Sequence, residues 1–113
     1  PGQQHWVLAL TSLPPGAVSA YPHGLLVTGS QDGLITAYDP VTIDKLFTLS
    51  GHSQGVISLS WTTSHHLLSG AKDGSAREWD ITTQQCVYVM GGQENGVVVA
   101  GLPDGVIFDQ VLI

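Results

Sequence analysis

Apolar and polar residues along this chain alternate in short runs, and nowhere do the apolar positions hold helical spacing. Runs rich in Val, Leu, Ile and Thr, closed by Gly, Pro or Asp, mark strands joined by tight turns. The pattern predicts strands over 5–10 (HWVLAL), 25–30 (LLVTGS), 34–39 (LITAYD) and 45–50 (KLFTLS). It begins again with 56–61 (VISLSW), 66–71 (HLLSGA), 75–80 (SAREWD) and 85–90 (QCVYVM), then continues over 96–101 (GVVVAG) and 106–113 (VIFDQVLI). The chain therefore reads as all-β.

The restart is a repeat. A shift of 41 residues lays GLLVTGSQDGLITAYD over HHLLSGAKDGSAREWD without a gap. Leu26 falls on Leu67, Gly29 on Gly70, Asp32 on Asp73, Gly33 on Gly74, Asp39 on Asp80 and Thr42 on Thr83. The identities gather on Gly and Asp, which supply positive φ or side-chain turn bonds, so one backbone geometry recurs. Four strands per period, a QDG or KDG hairpin and a closing aromatic-Asp pair make the chain similar to WD40 β-propeller repeats. The fullest copy holds Gly51-His52, VISLSW and LLSGAKDGSAREWD, with Trp79-Asp80 as the WD pair; the copy before it has Tyr38-Asp39, and the one after has Gly92-Gln93 in place of Gly-His.

That resemblance implies a partial WD40 propeller of four-stranded antiparallel blades. The first blade covers 1–50 with a long first connection (TSLPPGAVSAYPHG), the second covers 51–91, and an incomplete third covers 92–113. At 41 residues per blade, 113 residues make 2.76 blades, against typically four to eight in a closed propeller. An open array leaves two apolar faces wet. We therefore expect either a longer parent chain or self-association through the open blade faces, and the start at Pro1 with the abrupt end at Ile113 favours the longer parent.

Composition narrows the function. Nine acidic residues against three basic ones give a formal charge of -6, with Lys45, Lys72 and Arg77 the only fixed cations. No basic stripe exists to neutralise phosphates or headgroups, which speaks against nucleic-acid and membrane-surface binding. One core of this size leaves no room for a multidomain enzyme. A lone Cys86 permits no intramolecular disulfide and no CxxC zinc or redox motif, and it suits a reducing cytoplasmic or nuclear setting. No apolar run reaches the length of a membrane span.

A finer resemblance rests on the long first connection ending in YPHGLLVTGS (Tyr21-Pro22-His23-Gly24), followed by LSGHSQGVISLS and LLSGAKDGSAREW. Over about residues 5–92 the chain resembles the early blades of the phospholipase-A2-activating protein family, and from 93 onward the likeness fades. The resemblance implies a non-catalytic ubiquitin-binding adaptor. In that family the propeller precedes a ubiquitin-binding domain and a domain that docks the p97/Cdc48 ATPase; neither domain is in this sequence. A WD40 subunit of an unrelated complex is the alternative reading.

Carried onto this chain, the WD40 pattern makes His52, Ser69, Asp73 and Trp79 a buried hydrogen-bonded network. Ser, His and Asp are also the makeup of a hydrolase triad, so a small serine hydrolase using Ser69 and His52 is a remote alternative. A nucleophilic serine, however, needs an exposed elbow and an oxyanion hole, and Ser69 falls mid-strand. His65 and His66 are consecutive strand residues pointing to opposite faces, so they cannot chelate together. Asp32 and Asp73 sit at equivalent turns, where turn chemistry accounts for both. GSQDG and GAKDG lack the Lys-Ser/Thr of a phosphate loop. No cofactor is expected. The turns and loops of one rim would gather Gln31, Ser53, Gln54, Lys72, Glu94 and Asn95 into a polar protein-binding face, and the acidic balance suits a partner with a basic patch, as ubiquitin has.

Overall fold

The computed structural model describes residues 6–62, 65–91, 96–102 and 105–111. Its strands are β1 (Val7–Leu13), β2 (Leu25–Ser30), β3 (Ile35–Tyr38), β4 (Lys45–Leu49), β5 (Val56–Trp61), β6 (His66–Ala71), β7 (Ser75–Asp80), β8 (Gln85–Gly91), β9 (Gly96–Leu102) and β10 (Gly105–Val111). They form two four-stranded antiparallel sheets, β1-β2-β3-β4 and β5-β6-β7-β8, and an antiparallel pair β9-β10. Among the described residues no helix is long and apolar enough to cross a membrane.

The largest departure from the expected strands is in β1. It runs on to Leu13 instead of ending at residue 10, because Leu13 pairs with Leu25 and turns its side chain into the core, 6% exposed. The long connection therefore shortens to residues 14–24. That segment folds back on the sheet: Val18 is buried, the Tyr21 ring meets Phe47 at 5.9 Å, and His23 Nδ1 lies 3.1 Å from Asp39 Oδ2.

The turns repeat with the period of the sequence. Gly33 and Gly74 hold φ of 88° and 84° as they close the β2–β3 and β6–β7 hairpins, a conformation glycine takes without steric cost. In the next turns, Asp39 Oδ1 accepts from the N–H groups of Val41 and Thr42, and Asp80 Oδ1 from those of Thr82 and Thr83. Ile43 and Gln84, also one period apart, both sit in the left-handed region at φ of 62° and 61°. Neither is a glycine, so this part of the repeat is carried by backbone shape and not by residue identity.

Alternation along β2 and β3 aims Leu25, Val27, Ile35 and Ala37 at the second sheet, which answers with Val56, Leu67, Trp79 and Ile81. Each Val, Leu or Ile among these contributes about 1.5 to 3 kcal/mol on burial. The approach is close where β2 meets β5: a Cβ built at Gly29 would stand 2.5 Å from Val56 Cγ1. Along the chain, β1 and β2 lie against β5, while β5 and β6 lie against β9, so successive sheets stack through their first strands. The far face of the first sheet has no sheet upon it among the described residues, and there Leu26 is only half-buried although its counterpart Leu67 is fully buried.

Candidate functional site

The β4–β5 loop carries His52 over the second sheet, β6 supplies Ser69, the hairpin after β6 supplies Asp73, and β7 supplies Trp79. The structure brings all four together. Trp79 Nε1 donates to Ser69 Oγ at 2.9 Å, Ser69 Oγ lies 2.7 Å from His52 Nε2, and His52 Nδ1 lies 3.1 Å from Asp73 Oδ2. An ionised carboxylate only accepts and an indole N–H only donates, so the proton directions follow. Ser69 donates to Nε2, and a neutral His52 donates from Nδ1 to Asp73.

Asp73 gathers further donors. Ser53 N–H reaches Oδ2 at 2.9 Å, and Ser75 N–H and Oγ reach Oδ1 at 2.9 and 2.6 Å. Burial pushes the Asp73 pKa upward, but the hydrogen bonds from Ser75 and Ser53, with the nearby His52, outweigh it and leave the group below its ordinary 3.8. Burial also drives His52 below 6.5, against the pull of the Asp73 carboxylate. Both shifts favour a neutral imidazole beside an ionised carboxylate. Ser75 was not among the residues singled out from the sequence; its signal is its place two residues after Asp73, where a hydroxyl competes for turn hydrogen bonds.

A hydrolase would need its serine to meet a substrate. Ser69 is 0% exposed, and its Oγ already accepts from Trp79 and donates to His52. Asp32 Oδ1 accepts from Ser30 Oγ at 2.5 Å and from Leu34 N–H at 3.2 Å, within its own hairpin and apart from Asp73. His66 Nδ1 lies 2.7 Å from Glu78 Oε2, whereas the His65 carbonyl accepts from Ile81 N–H. Among the described residues no group of three His, Cys, Asp or Glu side chains is placed to hold a metal ion.

One rim gathers the hairpins after β2 and β6 with the loop after β4. Lys72 N–H donates to Gly55 O at 2.8 Å, Gln31 N–H donates to Trp6 O at 2.8 Å, and a Cβ at Gly33 would stand 2.5 Å from His52 O. Gln31, Ser53, Gln54 and Lys72 are all exposed on it, and Trp6, 75% exposed, stands beside Gln31. Glu94 and Asn95 lie outside the described residues. Trp6 was missed by the sequence reading, which placed it within a strand; β1 starts one residue later. Arg77 was not singled out either. It lies half-buried on β7, with Nη1 3.7 Å from Cys86 Sγ and with Nε buried and without an acceptor among the described residues.

The family model described as WD domain, G-beta repeat, matches residues 43–80, from the end of the β3–β4 turn through β7. The chain is 36% identical over 72 residues to Cell division control protein 4 of Saccharomyces cerevisiae, covering 64% of this chain and 9% of that protein. It is 32% identical over 96 residues to Phospholipase A-2-activating protein of Xenopus laevis, covering 85% of this chain and 12% of that protein. A chain in the crystal structure of the mitotic checkpoint complex superposes with a TM-score of 0.77 at 23% identity, over 97% of this chain and 35% of the other. The chain thus spans about a tenth of the length of these two relatives and has the all-β architecture of part of a WD40 propeller.

Proposed function

We propose that this part of a WD40 propeller is a protein-recognition scaffold and that its partner is ubiquitin, in an adaptor of the phospholipase-A2-activating kind. The observation that carries the recognition role is the rim: exposed Gln31, Ser53, Gln54 and Lys72 stand on backbone that is cross-bonded between hairpins and loop, with Trp6 as an aromatic anchor. Rigid polar contacts around an aromatic side chain suit a protein surface. The His52 network has the complementary task of holding that rim in one shape, since Ser53 N–H is tied to Asp73 and Gln54 follows directly. In this reading the network is structural and the chain has no catalytic residue.

The choice of ubiquitin follows the resemblance to the phospholipase-A2-activating family, and the match to Phospholipase A-2-activating protein runs over 85% of this chain. The net charge of -6 suits a partner with a basic patch. Docking of the p97/Cdc48 ATPase would fall to other domains of a longer parent, in the cytoplasm or nucleus. The test is a titration of isotope-labelled ubiquitin with the chain, followed by NMR. Saturable shifts that weaken in a Trp6→Ala, Gln31→Ala, Gln54→Ala variant are expected. Absence of shifts at millimolar protein would overturn ubiquitin as the partner and favour a WD40 subunit of an unrelated complex.

A further inference from the structure

Arg77 is the only arginine in the chain, and the structure leaves it under-used. A guanidinium carries five N–H donors in a planar fork. The sole hydrogen bond it makes among the described residues is from Nη1 to the Cys86 sulfur at 3.7 Å, and a thiol is a weak acceptor. Its Nε is buried and unpaired, and no carboxylate among the described residues forms an ion pair with it. A buried donor left unpaired costs about 1 to 3 kcal/mol, more when charged, so its presence calls for a reason.

Among the described residues the guanidinium finds no oxygen acceptor. One period earlier the corresponding position is Thr36, paired across β3 and β4 with Thr48 just as Arg77 is paired across β7 and β8 with Val89. Thr36, however, stands on the far face of the first sheet, with no sheet upon it among the described residues, whereas Arg77 shares a face with Trp79 where the two sheets meet. The charge is also felt nearby, since Arg77 is among the groups lowering the His52 pKa.

The guanidinium has an approach. Exposed Gly51 lies directly over it: a Cβ at Gly51 would stand 2.9 Å from Arg77 Nη1 and 3.2 Å from Trp79 Cη2. Glycine at 51 thus keeps any side chain of the β4–β5 loop off the Nη1 edge of the fork. We infer that Arg77 receives an oxyanion, a carboxylate or phosphate group of a ligand that enters past Gly51 at the seam between the two sheets. Both groups present two oxygens that match the guanidinium fork in a bidentate contact, which supplies the acceptors that the chain itself withholds. This site stands independently of the ubiquitin reading.

The test uses the intact chain, with the Arg77 Nε–Hε signal followed by NMR while phosphate or acetate replaces chloride at constant ionic strength. A saturable shift of that signal at millimolar to tens of millimolar oxyanion is expected. Stronger binding of phosphate points to a phosphorylated ligand, and stronger binding of acetate to an acidic side chain; either supports the site. An Nε–Hε signal unmoved by both anions overturns it, as do equal backbone shifts in Arg77→Met. If Arg77→Met fails to fold by far-UV circular dichroism, Gly51→Ala takes its place: a severalfold loss of oxyanion affinity is expected, and unchanged affinity refutes entry past Gly51.

Discussion

Replacing Ser69 by Ala removes a single oxygen that serves two buried partners. In the folded chain that oxygen accepts from Trp79 Nε1 at 2.9 Å and donates to His52 Nε2 at 2.7 Å, with Ser69 0% exposed and Trp79 2% exposed. Alanine fits the space and keeps the backbone pairing, so the loss falls on the two orphaned groups. Each buried polar group left unpaired costs about 1 to 3 kcal/mol. Partial relaxation of the loop carrying His52 recovers some of this, and a net loss of about 2 to 4 kcal/mol is expected for Ser69→Ala. Equilibrium urea unfolding, followed by far-UV circular dichroism so that loss of the Trp79 fluorophore does not matter, measures it. Trp79→Phe is the partner variant, costing about 1 to 3 kcal/mol through lost packing and one lost hydrogen bond. In the double variant there is no indole N–H to orphan, so its destabilisation should fall short of the sum by about 1 to 2 kcal/mol. A Ser69→Ala variant within about 0.5 kcal/mol of the parent, or strict additivity in the cycle, would refute the network as a source of stability.

Acidification should weaken the fold in two steps. The His52 pKa is held below 6.5, so the unfolded chain takes up a proton that the folded chain refuses, and stability is lost as pH falls below about 6.5. Asp73, held below 3.8, adds a loss as pH falls below about 4, as do Asp39 and Asp80, whose pKa values are also lowered. Denaturation midpoints measured from pH 8 to 3 check both, with His52→Gln expected to abolish its part of the first step; a parent profile flat between pH 7.5 and 5 would contradict the buried neutral imidazole. At the seam between sheets, Gly29→Ala should destabilise by about 1 to 3 kcal/mol through overpacking against Val56. The same change made together with Val56→Ala should cost less than the sum of the two, and additive thermal-unfolding losses would show that β2 and β5 do not meet there.

The strands and hairpins were legible in the residues because they follow local rules. Period-two alternation and Gly or Asp at turns act over a few residues, and the 41-residue repeat displays them twice. Where a local rule met a distant contact, the contact decided. Leu13 joined β1 because Leu25 and the core lie beside it, and Trp6 left the strand for the rim, its carbonyl taken by Gln31. Ile43 took a left-handed conformation that a β-branched residue disfavours, since the Asp39-capped turn requires it.

The sequence by itself determined the all-β class, the repeat and the residue types available for a buried network or a polar rim. Only the tertiary structure decided that Ser75 would join Asp73 and His52, that Gly29 would lie against Val56, and that Arg77 would keep an unpaired Nε beneath Gly51. The physical reason is distance along the chain. His52 and Asp73 are 21 residues apart, and Gly51 meets Arg77 across 26. Such meetings depend on how one sheet twists and stacks on the next, which no short window of sequence encodes.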